Sequence, residues 1–247
     1  MASKLSLSIT MPAYNEAPNL EPMLEQSVHV ADSLSDDYEI IVVDDGSRDD
    51  TAGVVRRFAA THPRVRLVQH ERNRGYGAAV FTGLTSATKD WVFFTDADRQ
   101  FRLEELGLLL EHTGDADLIV GYRNPRRDPP VRLLYARGWN FLVSLLFGYT
   151  VRDIDCAFKL MRREVITTLA PLVRSRGATF SAEWLVMARR MGFRIVQVPV
   201  THLPRIAGKP TGAKLRVIWR AFRELAAFRL RLWREGHPAR QGSPRQA

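Results

Sequence analysis

The sequence predicts an α/β fold, a mainly parallel sheet with helices on both faces. Short β-branched or aromatic runs alternate with segments of helical periodicity through the first half of the chain. Those runs are apolar throughout rather than at every second residue, as strands covered on both faces are. A chain of 247 residues, 45% hydrophobic and 26% charged, is also long enough to bury such a sheet in one domain.

Residues 5–11 are an apolar-rich run that stops at Pro12, and residues 38–43 read Tyr-Glu-Ile-Ile-Val-Val before Asp44-Asp45-Gly46-Ser47. Both predict buried parallel strands. Between them residues 19–34 set Leu20, Met23, Leu24, Ser27, Val28 and Ala31 at helical spacing, and residues 49–60 repeat the pattern. Residues 65–68, 91–95 and 118–120 predict further strands, with helices over 77–87 and 103–112. Ligands of such sheets sit beyond the carboxyl ends of the strands. Residues 12–16, 44–47 and 96–100 each follow a strand, so three distant polar segments are expected on one edge.

Beyond Gly121 the alternation loosens. Pro125, Pro129 and Pro130 mark a loop, after which the pattern predicts an apolar helix over 133–147, a strand over 155–161, a helix over 182–191 and a strand over 194–198. Residues 237–247 are rich in Pro, Gly and Gln and predict a disordered tail, leaving 1–236 as one domain.

Lys and Arg exceed Asp and Glu by 36 to 27, a net charge of +9, and the excess lies mostly after residue 120. Such a surface faces nucleic acid, anionic lipid or a phosphorylated small molecule. No nucleic-acid motif appears, and carboxylates at three strand ends repel nucleic-acid phosphate, so nucleic acid is set aside. The longest uncharged apolar stretch lies within residues 139–148, well short of the roughly 20 a spanning helix needs. Met1-Ala2-Ser3-Lys4 runs into an apolar alternation without a signal-peptide core, so the expected location is cytoplasmic. A lone Cys156 forms no internal disulfide and is expected to be a small packed residue.

Asp96-Ala97-Asp98 follows an apolar run and sets two carboxylates at a strand end, where they can share a hard divalent cation, Mg²⁺ or Mn²⁺, with a diphosphate. Gln100 can add a carbonyl oxygen; a capped turn is the plainer reading of the same residues. Asn73-Arg74-Gly75-Tyr76-Gly77-Ala78-Ala79 fails the dinucleotide fingerprint, because it follows the third strand and has Val80 where the last glycine belongs. It reads as a tight turn feeding a helix, with direct phosphate contact as the alternative. Asp153 and Asp155 are carboxylates for a general base, or partners of Arg152 or Lys159. Glu183 reads as a helix-start acid and His202 as structural, or else as an active-site donor, while Arg126 and Arg127 belong to a mobile lid or a solvated loop.

Taken together, Pro12-Ala13-Tyr14-Asn15-Glu16, Asp44 to Thr51, Asn73-x-Gly-x-Gly-x-Ala and Asp96-Ala97-Asp98-Arg99-Gln100 resemble the family 2 glycosyltransferases of GT-A, Rossmann-like fold. Gly121-Tyr122-Arg123, Arg132, Arg137-Gly138, Asn140-Phe141-Leu142, Asp153, Phe158-Lys159, Arg205 and Gly208 extend the likeness to the dolichyl-phosphate mannosyltransferase branch and its bacterial polyprenyl-phosphate relatives. The resemblance implies a nucleotide-sugar half over 1–121 and an acceptor half over 122–236. It implies Asp96, Asp98 and Gln100 as metal ligands. Pro12, Tyr14, Glu16, Val43, Asp45 and Ala97 then cradle the nucleotide, Arg123 and Arg205 face the donor phosphates, and Arg132 holds the acceptor phosphate. The chain departs from the dolichol branch at Ala136, where that branch has Ser, and at Pro210-Thr211, where it has Ser-Lys.

The expected activity is inverting, metal-dependent transfer of a hexose from a GDP- or UDP-sugar to a polyprenyl phosphate, with a hydroxyl of a soluble metabolite or glycan as the alternative acceptor. In the first case an ionised acceptor needs only orientation; in the second Asp153 or Asp155 is the base. A polyprenyl acceptor places the protein peripherally on the inner, anionic membrane face, with an integral-membrane protein as a possible partner. The last helix suits that place. Arg216, Arg220, Arg223, Arg231 and Arg234 fall within roughly an 80° sector opposite Ile218, Phe222, Leu225, Phe228 and Leu232, so it is basic and amphipathic, either lying in the lipid interface or packing its apolar side on the core.

Overall fold

The computed structural model describes residues 5–126, 130–204 and 215–235, with side chains at all of these but 130–132 and 215–219. In chain order the elements are β1 (Leu7–Ala13), α1 (Ala17–Leu34), β2 (Tyr38–Asp44), α2 (Thr51–Thr61), β3 (Val65–Gln69), α3 (Tyr76–Ser86), β4 (Trp91–Thr95) and α4 (Leu106–Leu110). β5 (Leu118–Arg123), α5 (Pro130–Phe147), β6 (Phe158–Arg162), α6 (Arg163–Leu169), α7 (Phe180–Arg190), β7 (Ile195–Val200) and α8 (Leu215–Glu235) follow.

The strands form one sheet in the order β3-β2-β1-β4-β6-β5-β7. β1 pairs in parallel with β2 and β4, β2 with β3, and β5 with β7. β6 runs antiparallel between β4 and β5, pairing Thr95 with Phe158 and Val120 with Lys159. The chain leaves β1 for β2 and β3 on one side and returns to place β4 on the other, so the crevice between the carboxyl ends of β1 and β4 is a switch point of the kind that holds ligands.

The apolar runs end up where their composition demands. Ile40, Ile41, Val42 and Val43 of β2 are fully enclosed, as are Ile9 and Met11 of β1 and Val92 and Phe93 of β4. Leu20, Met23, Leu24 and Ala31 of α1 are buried at the expected spacing, and Cys156 is buried and unpaired in a disulfide.

Four expectations are corrected. The expected helix over 103–112 is a 3-10 turn at Leu103–Glu105 followed by only five α-helical residues. The strand expected over 155–161 begins at Phe158, because Asp153 O accepts the Cys156 N–H in a turn that precedes the ladder. β7 continues past 198 through Pro199 to Val200; it pairs only with β5, and an edge strand tolerates a residue without an N–H. α6 was not expected at all, because seven residues are too few to show a helical period. The tail at 237–247 lies outside the described residues.

Gly46 turns the chain at the end of β2 with φ of 68°, and a Cβ there would lie 2.5 Å from the Arg72 carbonyl carbon. Gly46→Ala is expected to destabilise the fold by about 2 kcal/mol or more, lowering Tm by roughly 5 °C in a thermal melt.

Candidate active site

The first two strand-end segments, residues 12–16 and 44–51, are tied together. Asn15 donates its N–H to Ser47 Oγ (2.9 Å), and its Oδ1 accepts the Arg48 N–H (2.8 Å). The Glu16 N–H reaches Thr51 Oγ1 at 3.0 Å, and Asp45 N–H reaches the Ala13 carbonyl at 2.9 Å. Asn15 and Arg99 hold positive φ angles of 55° and 58°. Such strained non-glycine backbone concentrates where a binding edge is built.

Pro12, Tyr14 and Glu16 line this edge half-buried, and Ala97 lies beneath it, buried. Val43 does not line it. Its side chain is fully enclosed in the core, because β2 is covered on both faces. Asp45 is 3% exposed. Its carboxylate accepts the Arg74 N–H (2.9 Å) and the Gly75 N–H (2.8 Å), and His70 Nδ1 donates to it at 2.7 Å, so it is committed to the turn before α3. That turn is the one read from Asn73 to Ala79.

Asp98 is buried and caps the Gln100 N–H (3.2 Å), while Asp96 Oδ1 accepts the Tyr76 hydroxyl at 3.0 Å. Burial, then the charge of Asp98, raises the Asp96 carboxyl to about 7; the Tyr76 hydroxyl is pushed well up by burial and Asp96. Tyr76, Asp96 and Asp155 are crowded by protein yet keep accessible surface, Tyr76 being 43% exposed, which describes the floor of an open cleft. Two carboxylates pressed together there fit a divalent cation, which takes one or two protein carboxylates and completes its shell with phosphates and water. Among the described residues no cluster of three or more His, Cys, Asp or Glu side chains is suited to a metal. Gln100 gives its side-chain nitrogen to the Leu203 carbonyl (3.2 Å), tying the loop to the residues after β7.

On the other side of the cleft, Arg123 Nε and Nη2 donate to both oxygens of Asp153 at 2.7 and 2.8 Å, with both side chains under a tenth exposed. Arg126 Nη1 approaches the same carboxylate at 3.5 Å. Asp153 is therefore an ion-pair partner, of Arg123 and Arg126 rather than of Arg152 or Lys159, and Arg123 meets it where a donor phosphate was expected. Burial opposes the charge on Asp153, but the Arg123 hydrogen bonds and charge outweigh it and hold the carboxyl below its usual range. Asp155 stays exposed, and its carboxyl is raised by crowding and by Asp153. Lys159, 3% exposed, donates to the Ile154 and Cys156 carbonyls and lies 5.8 Å from the centre of the Phe94 ring. His70 escaped the sequence reading, since an imidazole flanked by ordinary residues carries no spacing signal; Tyr76 and Lys159 were read only as members of the Asn73–Ala79 turn and of the Phe158-Lys159 pair, without these contacts. His202 is buried beside Phe101, in keeping with its structural reading. Arg127 and Arg205, and the side chains of Arg132 and Arg216, lie outside the described residues.

α8 packs Ala221, Leu225, Phe228 and Leu232 inward. Arg231 is corrected from the outward basic face: its guanidinium pairs with buried Glu183, which also accepts the Arg174 and Ser175 N–H groups. Phe222, expected on the packed side, is 49% exposed. Together with Ala226, Leu230 and Trp233 it faces Leu142 and Leu146 of α5 across an open groove of about 530 Å³.

A mainly parallel sheet whose switch point carries paired strand-end carboxylates is the arrangement the sequence resemblance implies, and the matches agree on fold and family. The model of glycosyl transferase family 2 matches residues 8–169, and the chain belongs to that family. A dolichyl-phosphate beta-glucosyltransferase of Trichomonas vaginalis is 30% identical over 215 residues, 80% of this chain and 64% of that protein. The undecaprenyl-phosphate 4-deoxy-4-formamido-L-arabinose transferase of Edwardsiella ictaluri is 31% identical over 86% of this chain and 64% of its own. The chain thus spans just under two thirds of these relatives. Among solved structures, glucosyl-3-phosphoglycerate synthase of Mycobacterium tuberculosis with phosphoglyceric acid matches with a TM-score of 0.68 and 25% identity, covering 95% of this chain and 81% of that one. The same synthase with Mn²⁺ and UDP-glucose matches with a TM-score of 0.68 and 24% identity, over 95% of this chain and 80% of that one.

Asp153→Asn strands the Arg123 charge in a buried site and is expected to cost about 3 kcal/mol in urea unfolding at pH 7. The sign follows from the depressed carboxyl. The pair's contribution is full above the unfolded Asp value of about 3.9 and is lost as pH falls through the lower folded value, so wild type and variant should converge in acid.

Proposed function

We propose that this chain transfers a hexose, with inversion, from a nucleoside diphosphate sugar, using a divalent cation held by Asp96 and Asp98. The observation that carries the reading is the pair of strand-end carboxylates at the switch point, one of them with its carboxyl raised to about 7 by burial and by the charge of its neighbour. Asp96 and Asp98 would hold Mn²⁺ or Mg²⁺, which would supply positive charge for the leaving diphosphate. Pro12, Tyr14 and Glu16 line the nucleotide side, Asp45 holds the turn that walls it, and Arg205 is assigned to the donor phosphates. The synthase solved with Mn²⁺ and UDP-glucose supports the metal and the class of donor.

For the acceptor, the described side chains offer a base more plainly than a phosphate clamp. Arg123 and Arg126 are drawn to Asp153, whereas Asp155 is open to solvent with a raised carboxyl. A base of that kind takes the proton of an acceptor hydroxyl as the oxygen attacks the sugar. A soluble hydroxyl acceptor is accordingly the first reading, and the phosphoglycerate-glucosylating synthase is in line with it.

A polyprenyl phosphate is the second reading, favoured by one specific observation. Leu134, Phe141 and Leu145 of α5 are each 69% exposed and Trp233 of α8 is 74% exposed, more apolar surface than two helices normally leave in water. Among the described residues no helix is long and apolar enough to cross a membrane. The attachment would be peripheral, with Arg220, Arg223 and Arg234 contributing about 1 kcal/mol each on an anionic leaflet, and Arg132 would hold the acceptor phosphate. The names of the two curated relatives support this reading.

Asp98→Ala is expected to abolish turnover and metal-dependent nucleotide binding while the far-UV spectrum stays native and the melt falls by only a few degrees, as loss of the Gln100 cap requires; activity retained by wild type in chelator would sink the metal assignment. With a hydroxyl acceptor, Asp155→Asn should lower kcat/KM by roughly 10²–10³. Wild-type activity should fall as pH drops through a raised apparent pKa, since protonation removes the base, and that acid limb should vanish in the variant. Should a short polyprenyl phosphate instead be the acceptor used, Asp155→Asn should change little, and wild type should co-sediment with anionic but not neutral liposomes at low salt and release at high salt.

A further inference from the structure

We infer that Tyr76 is a positioning residue for the first carboxylate of the metal pair, and that the Asn73–Ala79 turn exists to hold it there. This rests on the reading of Asp96 as a metal ligand and adds a residue to it. The phenol hydroxyl donates to Asp96 Oδ1 at 3.0 Å. The Tyr76 ring meets Phe94 edge-on, with centroids 6.5 Å apart and planes at 64°, so the phenol is braced on the strand that leads into Asp96. At 43% exposure the ring does little work in the core.

What fixes Tyr76 is unusually complete for the first residue of a helix. The two N–H groups before it, on Arg74 and Gly75, are both held by the Asp45 carboxylate. His70 bridges Asp45 to Thr82 on the next turns of α3, its Nε2 lying 2.9 Å from Thr82 Oγ1. Gly75 adopts φ of 96°, open to glycine, and Gly77 sits so close to the Arg176–Gly177 backbone that a Cβ would lie 2.5 Å from the Gly177 carbonyl oxygen. The start of α3 is thereby clamped from the β2 side and from the loop before α7, and one consequence is a hydroxyl aimed at Asp96. Ligating carboxylates depend on such partners for orientation, and losing one costs roughly 10–100-fold in metal affinity.

The test is Tyr76→Phe, which removes only the hydroxyl. Mn²⁺ titrations followed by electron paramagnetic resonance, with UDP or GDP present, should show Kd for Mn²⁺ raised about tenfold and an altered bound-metal spectrum, while the metal-free melting temperature stays at the wild-type value. Equal Mn²⁺ affinity and an identical spectrum in the two proteins would overturn the inference and leave the metal assignment standing. Absence of nucleotide-dependent Mn²⁺ binding in the wild type would remove the assignment and the inference together. A weakened Tyr76→Phe accompanied by a lowered metal-free melt would also overturn it, since the hydroxyl would then serve the fold.

Discussion

The site depends on one strand running the wrong way. β6 is inserted antiparallel between β4 and β5, so the segment that precedes it, rather than the segment that follows, arrives at the edge where the parallel strands end. Pairing Thr95 with Phe158 sets residues 153–157 beside Asp96. Arg123 at the end of β5 and residues 201–203 after β7 come to the same edge from the other side. A wholly parallel sheet would send the 153–157 turn to the opposite end of the strands, away from Asp96.

That crowding creates an electrostatic problem with an unequal solution. Asp96, Asp98, Asp153 and Asp155 share a small volume with Arg123, Arg126 and buried Lys159. Asp153 takes the best partner: a bidentate guanidinium contact in a dry site fixes its charge. Burial and the neighbouring carboxylates raise Asp96 and Asp155, and the more distant charges of Lys159 and Arg123 offset this in part. The cluster therefore separates into one carboxylate committed to structure, a neighbouring pair at the strand end and one left open to solvent, and the proposed division of roles rests on this separation.

The helical layer over the second half shows a similar division. α8 has an inward face at Ala221, Leu225, Phe228 and Leu232, an apolar ridge at Phe222, Leu230 and Trp233, and a basic face. Three faces on one helix exceed what core packing requires. Arg231 is recruited from the basic face because buried Glu183 needs a cation once it has accepted two backbone N–H groups, and α8 is thereby latched to the loop that walls α3.

The order of strands and helices in the first half was legible from the sequence, because runs such as Ile40–Ile41–Val42–Val43 have no polar alternation and suit only a strand covered on both faces. The convergence of residues 12–16, 44–47 and 96–100 was legible for the same reason, since parallel strands deliver their carboxyl ends to one edge, and so was the Asp96–Asp98 pair. The partners were not. Asp153 with Arg123, Asp45 with the Gly75 turn, Tyr76 with Asp96 and Arg231 with Glu183 join residues 20 to 48 positions apart in contacts that leave no periodic trace. Hydrophobic pattern is a local property of a chain and determines which elements form and which faces they bury. The direction of β6, and with it the identity of every charge partner in the cleft, was decided only when the strands paired, because a hydrogen-bonded ladder compares segments that local sequence cannot.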